Sequence, residues 1–90
     1  MKADHKKITN RLNRIRGQLG GVIKMVEEDK YCLDISTQLM AVSSAVNSVN
    51  REILIAHMNS CVAESLKNGN EIDVYEKIEE MEKIINKLGK

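Results

Sequence analysis

A stretch of 30 residues without Pro or Gly, from Cys32 to Cys61, is the feature that most constrains the fold. Pro and Gly are the residues that most readily interrupt a helix. The apolar residues of the stretch recur at alternating steps of four and three, which is the heptad seam of a long helix that packs on another helix. The members of this seam are Ile35, Leu39, Val42, Val46, Val49, Ile53 and Ala56.

We therefore predict one continuous helix that begins at Cys32 or Leu33 and ends near Lys67. The end follows from Asn68-Gly69-Asn70, since Gly and Asn cost little in the left-handed conformation that closes a helix.

Two shorter apolar stripes flank the long helix and predict one helix each. The first runs from about Asp4 to Glu28, and the second covers about residues 72–88. The stripes are Ile8, Leu12, Ile15, Leu19, Val22 and Val26 in the first, and Val74, Ile78, Met81, Ile85 and Leu88 in the second. With no Phe or Trp and no strand-like alternation, the chain is expected to be all-α, with three helices in a single domain over residues 1–90.

The sequence also indicates the cellular compartment of the protein and limits the classes of function that it can have. It contains no apolar run near the roughly 20 residues of a membrane span and no signal-peptide pattern, so we expect a cytoplasmic protein. Thiols stay reduced there, and two cysteines then indicate metal or redox chemistry before a disulfide. A chain of this size with no evident oxyanion element is not expected to be an enzyme.

Charge is concentrated at the start of the chain. Residues 1–24 carry seven Lys and Arg side chains against the single acidic residue Asp4. A basic segment on a nearly neutral protein indicates a polyanionic partner, most simply nucleic acid. Helical spacing places a band of side chains that can follow phosphates on or near one face: Lys6, Lys7, Arg11, Arg14 and Gln18.

The spacing of Cys32, His57 and Cys61 limits how these three residues can share a metal ion. His57 and Cys61 are four residues apart and share a helix face. Cys32 is 25 residues before His57, or roughly 37 Å along one helix, so one chain cannot bring all three to one ion. Two copies packed antiparallel about a two-fold axis would do so, with Cys32 of one opposite the pair of the other. The helices would cross near residues 45 and 46, inside a run of small side chains, residues 42–48.

Two thiolates and one imidazole form a soft ligand set of low coordination number, which favours Cu(I). Structural Zn(II) prefers a fourth ligand, which a carboxylate or water would have to supply, so zinc stays open. Ni(II) and Co(II) prefer more nitrogen and oxygen donors.

Three motifs resemble the CsoR/RcnR family of metal-sensing repressors, and the copper-sensing CsoR type within it. They are R-x-x-R-I-R-G-Q at residues 11–18, Y-C-x-D-I at 31–35 and H-x-x-x-C-V at 57–62. The resemblance covers roughly residues 6–70 and includes the spacing of Cys32, His57 and Cys61.

The resemblance implies an antiparallel helical-bundle dimer that pairs into a homotetramer without a helix-turn-helix. It also implies an inter-subunit Cu(I) site and release of operator DNA on metal binding, which derepresses copper-resistance genes. By resemblance, Arg11 and Arg51 occupy DNA-binding positions, with Arg16 in the same basic segment, and Tyr31 and Glu76 support the metal ligands. A further basic position of the family falls on Ser48, a departure from its pattern.

Two alternatives stay open. A thiol or persulfide sensor of the same fold would use Cys32 and Cys61 without a metal, although His57 favours copper. A repressor of the same fold that senses zinc, nickel or cobalt is the other.

Overall fold

In the computed structural model, every regular secondary-structure element of the described residues is an α-helix. The structure describes residues 1–67, 69 and 71–88, with backbone alone for residues 71, 73, 74 and 88. Three helices follow one another: α1 spans His5–Glu27, α2 spans Cys32–Lys67 and α3 spans Glu71–Leu88. The predictions of an all-α chain and of these three helices are confirmed, with bounds that agree within a residue.

Local chemistry explains where α1 begins and ends. The Asp4 carboxylate caps the helix, because its Oδ1 accepts hydrogen bonds from the backbone N–H groups of Lys6 and Lys7 at 3.0 and 3.3 Å. At the other end Asp29 adopts φ 58°, in the left-handed region, and its N–H donates to the carbonyl of Val26 at 3.1 Å. Asp is one of the residues that tolerate this conformation.

The start and end of α2 follow the same rules. The carbonyl of Tyr31 accepts from the N–H groups of Asp34 and Ile35 at 3.0 and 3.1 Å, which closes the first turn next to Cys32. Beyond Lys67, Gly69 has φ 71°, as expected for a glycine that ends a helix. Asn68 and Asn70 of the predicted stop lie outside the described residues.

The chain divides into two compact units. One contains Asp4–Val49, that is α1 and the first half of α2; the other contains Met1–Ala3 with Asn50–Lys90, that is the second half of α2 and α3. In the first unit the most buried apolar side chains are Ile8, Val22, Val42 and Val49. In the second unit they are Ala3 and Met81, and the polar residue Ser65 of this unit is buried as well.

Only part of the predicted stripes is buried in the single chain. On α2, Val42 and Val49 are buried, whereas Leu39 and Val46 on the same seam are 46% and 44% exposed. On α1, Leu12 and Leu19 are exposed to a similar extent. Contiguous exposed apolar side chains are typical of surfaces that bind another protein chain.

Removing the cap of α1 should destabilise the protein. We expect Asp4→Ala to lower the free energy of unfolding by about 1 kcal/mol, because two helix N–H groups lose their acceptor. Asp4→Asn, which keeps an acceptor oxygen, is the matched control, and its free energy of unfolding should stay close to that of the parent protein. Urea unfolding, followed by circular dichroism at one protein concentration, measures the free energy of unfolding of both variants. An equal decrease of this free energy in Asp4→Ala and Asp4→Asn would contradict the capping role.

Candidate metal centre and nucleic-acid interface

His57 and Cys61 form a pair of potential metal ligands on α2. The helix places them one turn apart, and the Cys61 Sγ lies 3.4 Å from the His57 Nε2. His57 is exposed and Cys61 is partly exposed with a free thiol. Both donor atoms therefore lie together at a surface that an ion can reach.

The separation of the two donor atoms fits a shared ion. With metal–sulfur and metal–nitrogen bonds of about 2.3 and 2.0–2.1 Å, two donors lie roughly 3.6 Å apart in a tetrahedral site and roughly 3.8 Å apart in a three-coordinate one. The 3.4 Å between Cys61 Sγ and His57 Nε2 is a little shorter than both values. Thiolate sulfur and imidazole nitrogen suit Cu(I) and Zn(II) better than Mg(II) or Ca(II), which prefer oxygen ligands.

Cys32 is the first residue of α2, and its thiol is free and exposed. Among the residues that the structure describes, no three His, Cys, Asp or Glu side chains of the single chain come together to hold a metal ion. The helix that carries Cys32, His57 and Cys61 is continuous, as the sequence predicts.

The two residues that the resemblance adds to the site lie on different elements. Tyr31 immediately precedes α2, and its side chain is exposed. Glu76 lies on α3 and is exposed as well. The roles of Tyr31 and Glu76 at the metal stay predictions.

The basic residues of α1 are presented to the solvent, and some of them line a groove. Lys6, Lys7, Arg14 and Arg16 are exposed, and Arg11 is partly buried. A groove of about 180 Å³ in the first unit is lined by Arg11, Arg14, Ile15, Gln18, Ala45 and Val49. Two guanidinium groups and an amide at the edge of one groove are suited to an oxyanion such as a phosphate. Arg51, on the second half of α2, is also exposed.

Arg11 is fixed to α2 by a contact that the sequence does not predict. Its Nη2 donates a hydrogen bond of 2.8 Å to the Oγ of Ser48, a residue 37 positions further along the chain. Helical periodicity shows which residues share a face of one helix, but it does not show which residue of another helix each one meets. The sequence therefore did not indicate that Ser48 contacts Arg11. It showed only that Ser48 stands where the family has a basic residue.

Comparison with known proteins points to one family. A family model described as metal-sensitive transcriptional repressor matches residues 4–87. The copper-sensing transcriptional repressor CsoR of Bacillus subtilis (strain 168) is 48% identical over 63 residues, which cover 70% of this chain. The chain spans 62% of the length of that relative.

Two solved structures share the fold along most of both chains. The nickel-responsive transcriptional regulator InrS matches with a TM-score of 0.80 and 32% identity, over 98% of this chain and 96% of that one. The copper-sensing repressor CsoR with Cu(I) from Geobacillus thermodenitrificans NG80-2 matches with a TM-score of 0.76 and 36% identity. The match covers 94% of this chain and 85% of that one. In the part of the chain that the structure describes, no helix is long and apolar enough to cross a membrane.

The paired donors predict a selective loss of metal binding. We expect His57→Ala and Cys61→Ser each to lower the Cu(I) affinity by at least about 100-fold, since even residues that only orient metal ligands cost 10- to 100-fold when changed. The matched control is His5→Ala, which removes an exposed histidine of α1 and should leave the affinity unchanged. Anaerobic competition with a Cu(I) chelator measures the affinities, and parental affinity in His57→Ala or Cys61→Ser would contradict the site.

Proposed function

Because this chain belongs to the CsoR/RcnR family of metal-sensitive transcriptional repressors, we propose that it is a copper(I)-responsive repressor. Without metal it binds operator DNA, and on binding Cu(I) it releases the DNA, so that copper-resistance genes are expressed. The observation that carries the proposal is the Cys61–His57 donor pair, 3.4 Å apart on the helix that also carries Cys32.

The proposed site is shared between two subunits. Cys32 of one subunit and the pair His57 and Cys61 of the other would hold one ion, and symmetry would produce two such sites in a dimer. Two thiolates and one imidazole are soft donors that favour Cu(I). Tyr31 and Glu76 would orient these ligands.

Exposed apolar residues support the proposed assembly. Leu39 and Val46 of the α2 seam are nearly half exposed in the single chain, and an antiparallel copy of α2 would cover them. The small residues 42–48 would let the two helices approach closely at their crossing. We propose that such dimers pair into a tetramer, with residues 1–90 of each subunit acting as one functional domain.

Phosphate contacts on α1 account for the proposed DNA binding. The exposed cations would follow the DNA backbone without a helix-turn-helix, and the groove beside Arg11 and Arg14 offers two guanidinium groups to a phosphate. As a chromosomal regulator the protein would act in the cytoplasm. The proposed DNA-binding residues are Lys6, Lys7, Arg11, Arg14, Arg16 and Arg51.

Metal binding and DNA binding are coupled through α2 in this proposal. Cys32 of one subunit and the His57–Cys61 pair of the other would hold the Cu(I), which would supply a cross-link between two α2 helices. The subunits would then be held in a relative position in which the basic residues of α1 no longer match the DNA. The coupling requires that the metal prefer the form that does not fit DNA, and typical couplings change affinity by about 5- to 150-fold.

A nickel-responsive repressor is the second candidate. The observation that favours it is the similarity to the nickel-responsive regulator InrS, with its TM-score of 0.80. The donor set argues for copper, since Ni(II) prefers more nitrogen and oxygen ligands than two thiolates and one imidazole provide.

The proposal predicts the outcome of a metal titration followed on DNA. A duplex selected from a random-sequence library by the metal-free protein serves as the operator probe, and its affinity is measured by fluorescence anisotropy without oxygen. We expect one Cu(I) to bind per subunit and to weaken DNA binding by about 5- to 150-fold. Ni(II) should have little effect.

The same titration of His57→Ala supplies the control. This variant should bind the duplex with nearly parental affinity, because His57 lies outside the basic surface, but it should keep the DNA when Cu(I) is added. Release of DNA by Cu(I) from His57→Ala would contradict the coupling, and release by Ni(II) alone from the parent protein would favour the second candidate.

A further inference from the structure

We infer that Ser48 is a positioning residue, whose hydroxyl on α2 holds the guanidinium of Arg11 on α1 at the groove where a DNA phosphate is bound. The inference rests on the proposed function, since it assigns a role within the DNA-binding surface. It adds a residue that is uncharged and that lies on the helix carrying the metal ligands.

The contact is short and well placed. The Arg11 Nη2 donates to the Ser48 Oγ at 2.8 Å, and both residues are partly buried. A long Arg side chain otherwise samples many rotamers, and a partner that fixes one of them removes that freedom before the ligand arrives. The hydrogen bond to Ser48 constrains Arg11 in this way, in addition to the other interactions of Arg11.

The groove beside this contact suits one oxyanion. Its volume is about 180 Å³. Arg11, Arg14 and Gln18 line it with N–H donors, and the apolar side chains Ile15 and Val49 complete the wall. A guanidinium carries five N–H donors in a planar fork, so that Arg11 can bond to Ser48 and to a phosphate oxygen at the same time.

The contact also links two elements that the proposed function couples. Ser48 is 16 residues after Cys32 on the same helix and within the same compact unit, whereas Arg11 belongs to α1. A shift of α2 relative to α1 within this unit would therefore move or break the hydrogen bond. The orientation of Arg11 is thus set by α2, and not by α1 alone.

The test is a double-mutant cycle on the metal-free protein, with the duplex selected by the parent protein as the probe. Ser48→Ala should weaken DNA binding by about 3- to 10-fold, because the Arg11 side chain must then be ordered when the phosphate binds. Ser48→Thr, which keeps the hydroxyl, should restore the affinity. In an Arg11→Ala background, the further change Ser48→Ala should have no effect, because the group that it positions is gone.

The control is Ser36→Ala, which removes an exposed hydroxyl from the same helix and should bind DNA as the parent does. Circular dichroism and light scattering verify that each variant folds and assembles. An unchanged affinity in Ser48→Ala, no rescue by Ser48→Thr, or an equal loss with and without Arg11 would each overturn the inference. In all three cases DNA binding by the parent and by Ser36→Ala would leave the proposed function standing, whereas a parent protein that binds no DNA would refute both.

Discussion

The length of a continuous helix is the constraint on which the account of this protein depends. An α-helix rises about 1.5 Å per residue, so the 25 residues of α2 from Cys32 to His57 span roughly 37 Å. Cys61, in contrast, lies one turn from His57 and has its sulfur 3.4 Å from the ring nitrogen. The helix thus carries two of the proposed ligands near one end and the third at the other, and in the proposed dimer a second, antiparallel copy would bring them together. A complete site would therefore exist only in a dimer, which in the proposed repressor is already formed before the metal binds.

In the proposed repressor, the same helix would also couple metal binding to DNA binding. Two of the seven residues of its apolar seam, Leu39 and Val46, are nearly half exposed in the single chain, whereas Val42 and Val49 are buried. Part of the seam therefore packs within the chain and part stays accessible to a partner. The first half of α2 also carries Ser48, the hydrogen-bond acceptor for Arg11. In the proposed repressor, a change at Cys32 would be carried along the first half of α2 to Ser48 and so to Arg11, the proposed phosphate-binding side chain.

Most of the fold was predictable from the sequence, and much of the candidate site was not. Apolar steps of three and four and the stop around Gly69 located the helices, because both depend on local geometry. The pairing of His57 with Cys61 follows from one helix turn and was also predictable. The contact of Arg11 with Ser48 depends on how two helices meet in three dimensions, which periodicity within each helix does not determine. The exposure of Leu39 and Val46 likewise required the packed chain.

Exchange of subunits between two inactive variants tests the shared site most directly. Cys32→Ala and Cys61→Ala chains are mixed, refolded together and titrated with Cu(I) without oxygen, while native mass spectrometry verifies that mixed dimers form. Neither variant alone should bind Cu(I) with parental affinity. The mixture should recover about one quarter of the parental sites, because half of the dimers are mixed and each mixed dimer holds one complete site. Parental affinity in either variant alone, or no recovery in mixed dimers, would contradict a site shared between subunits.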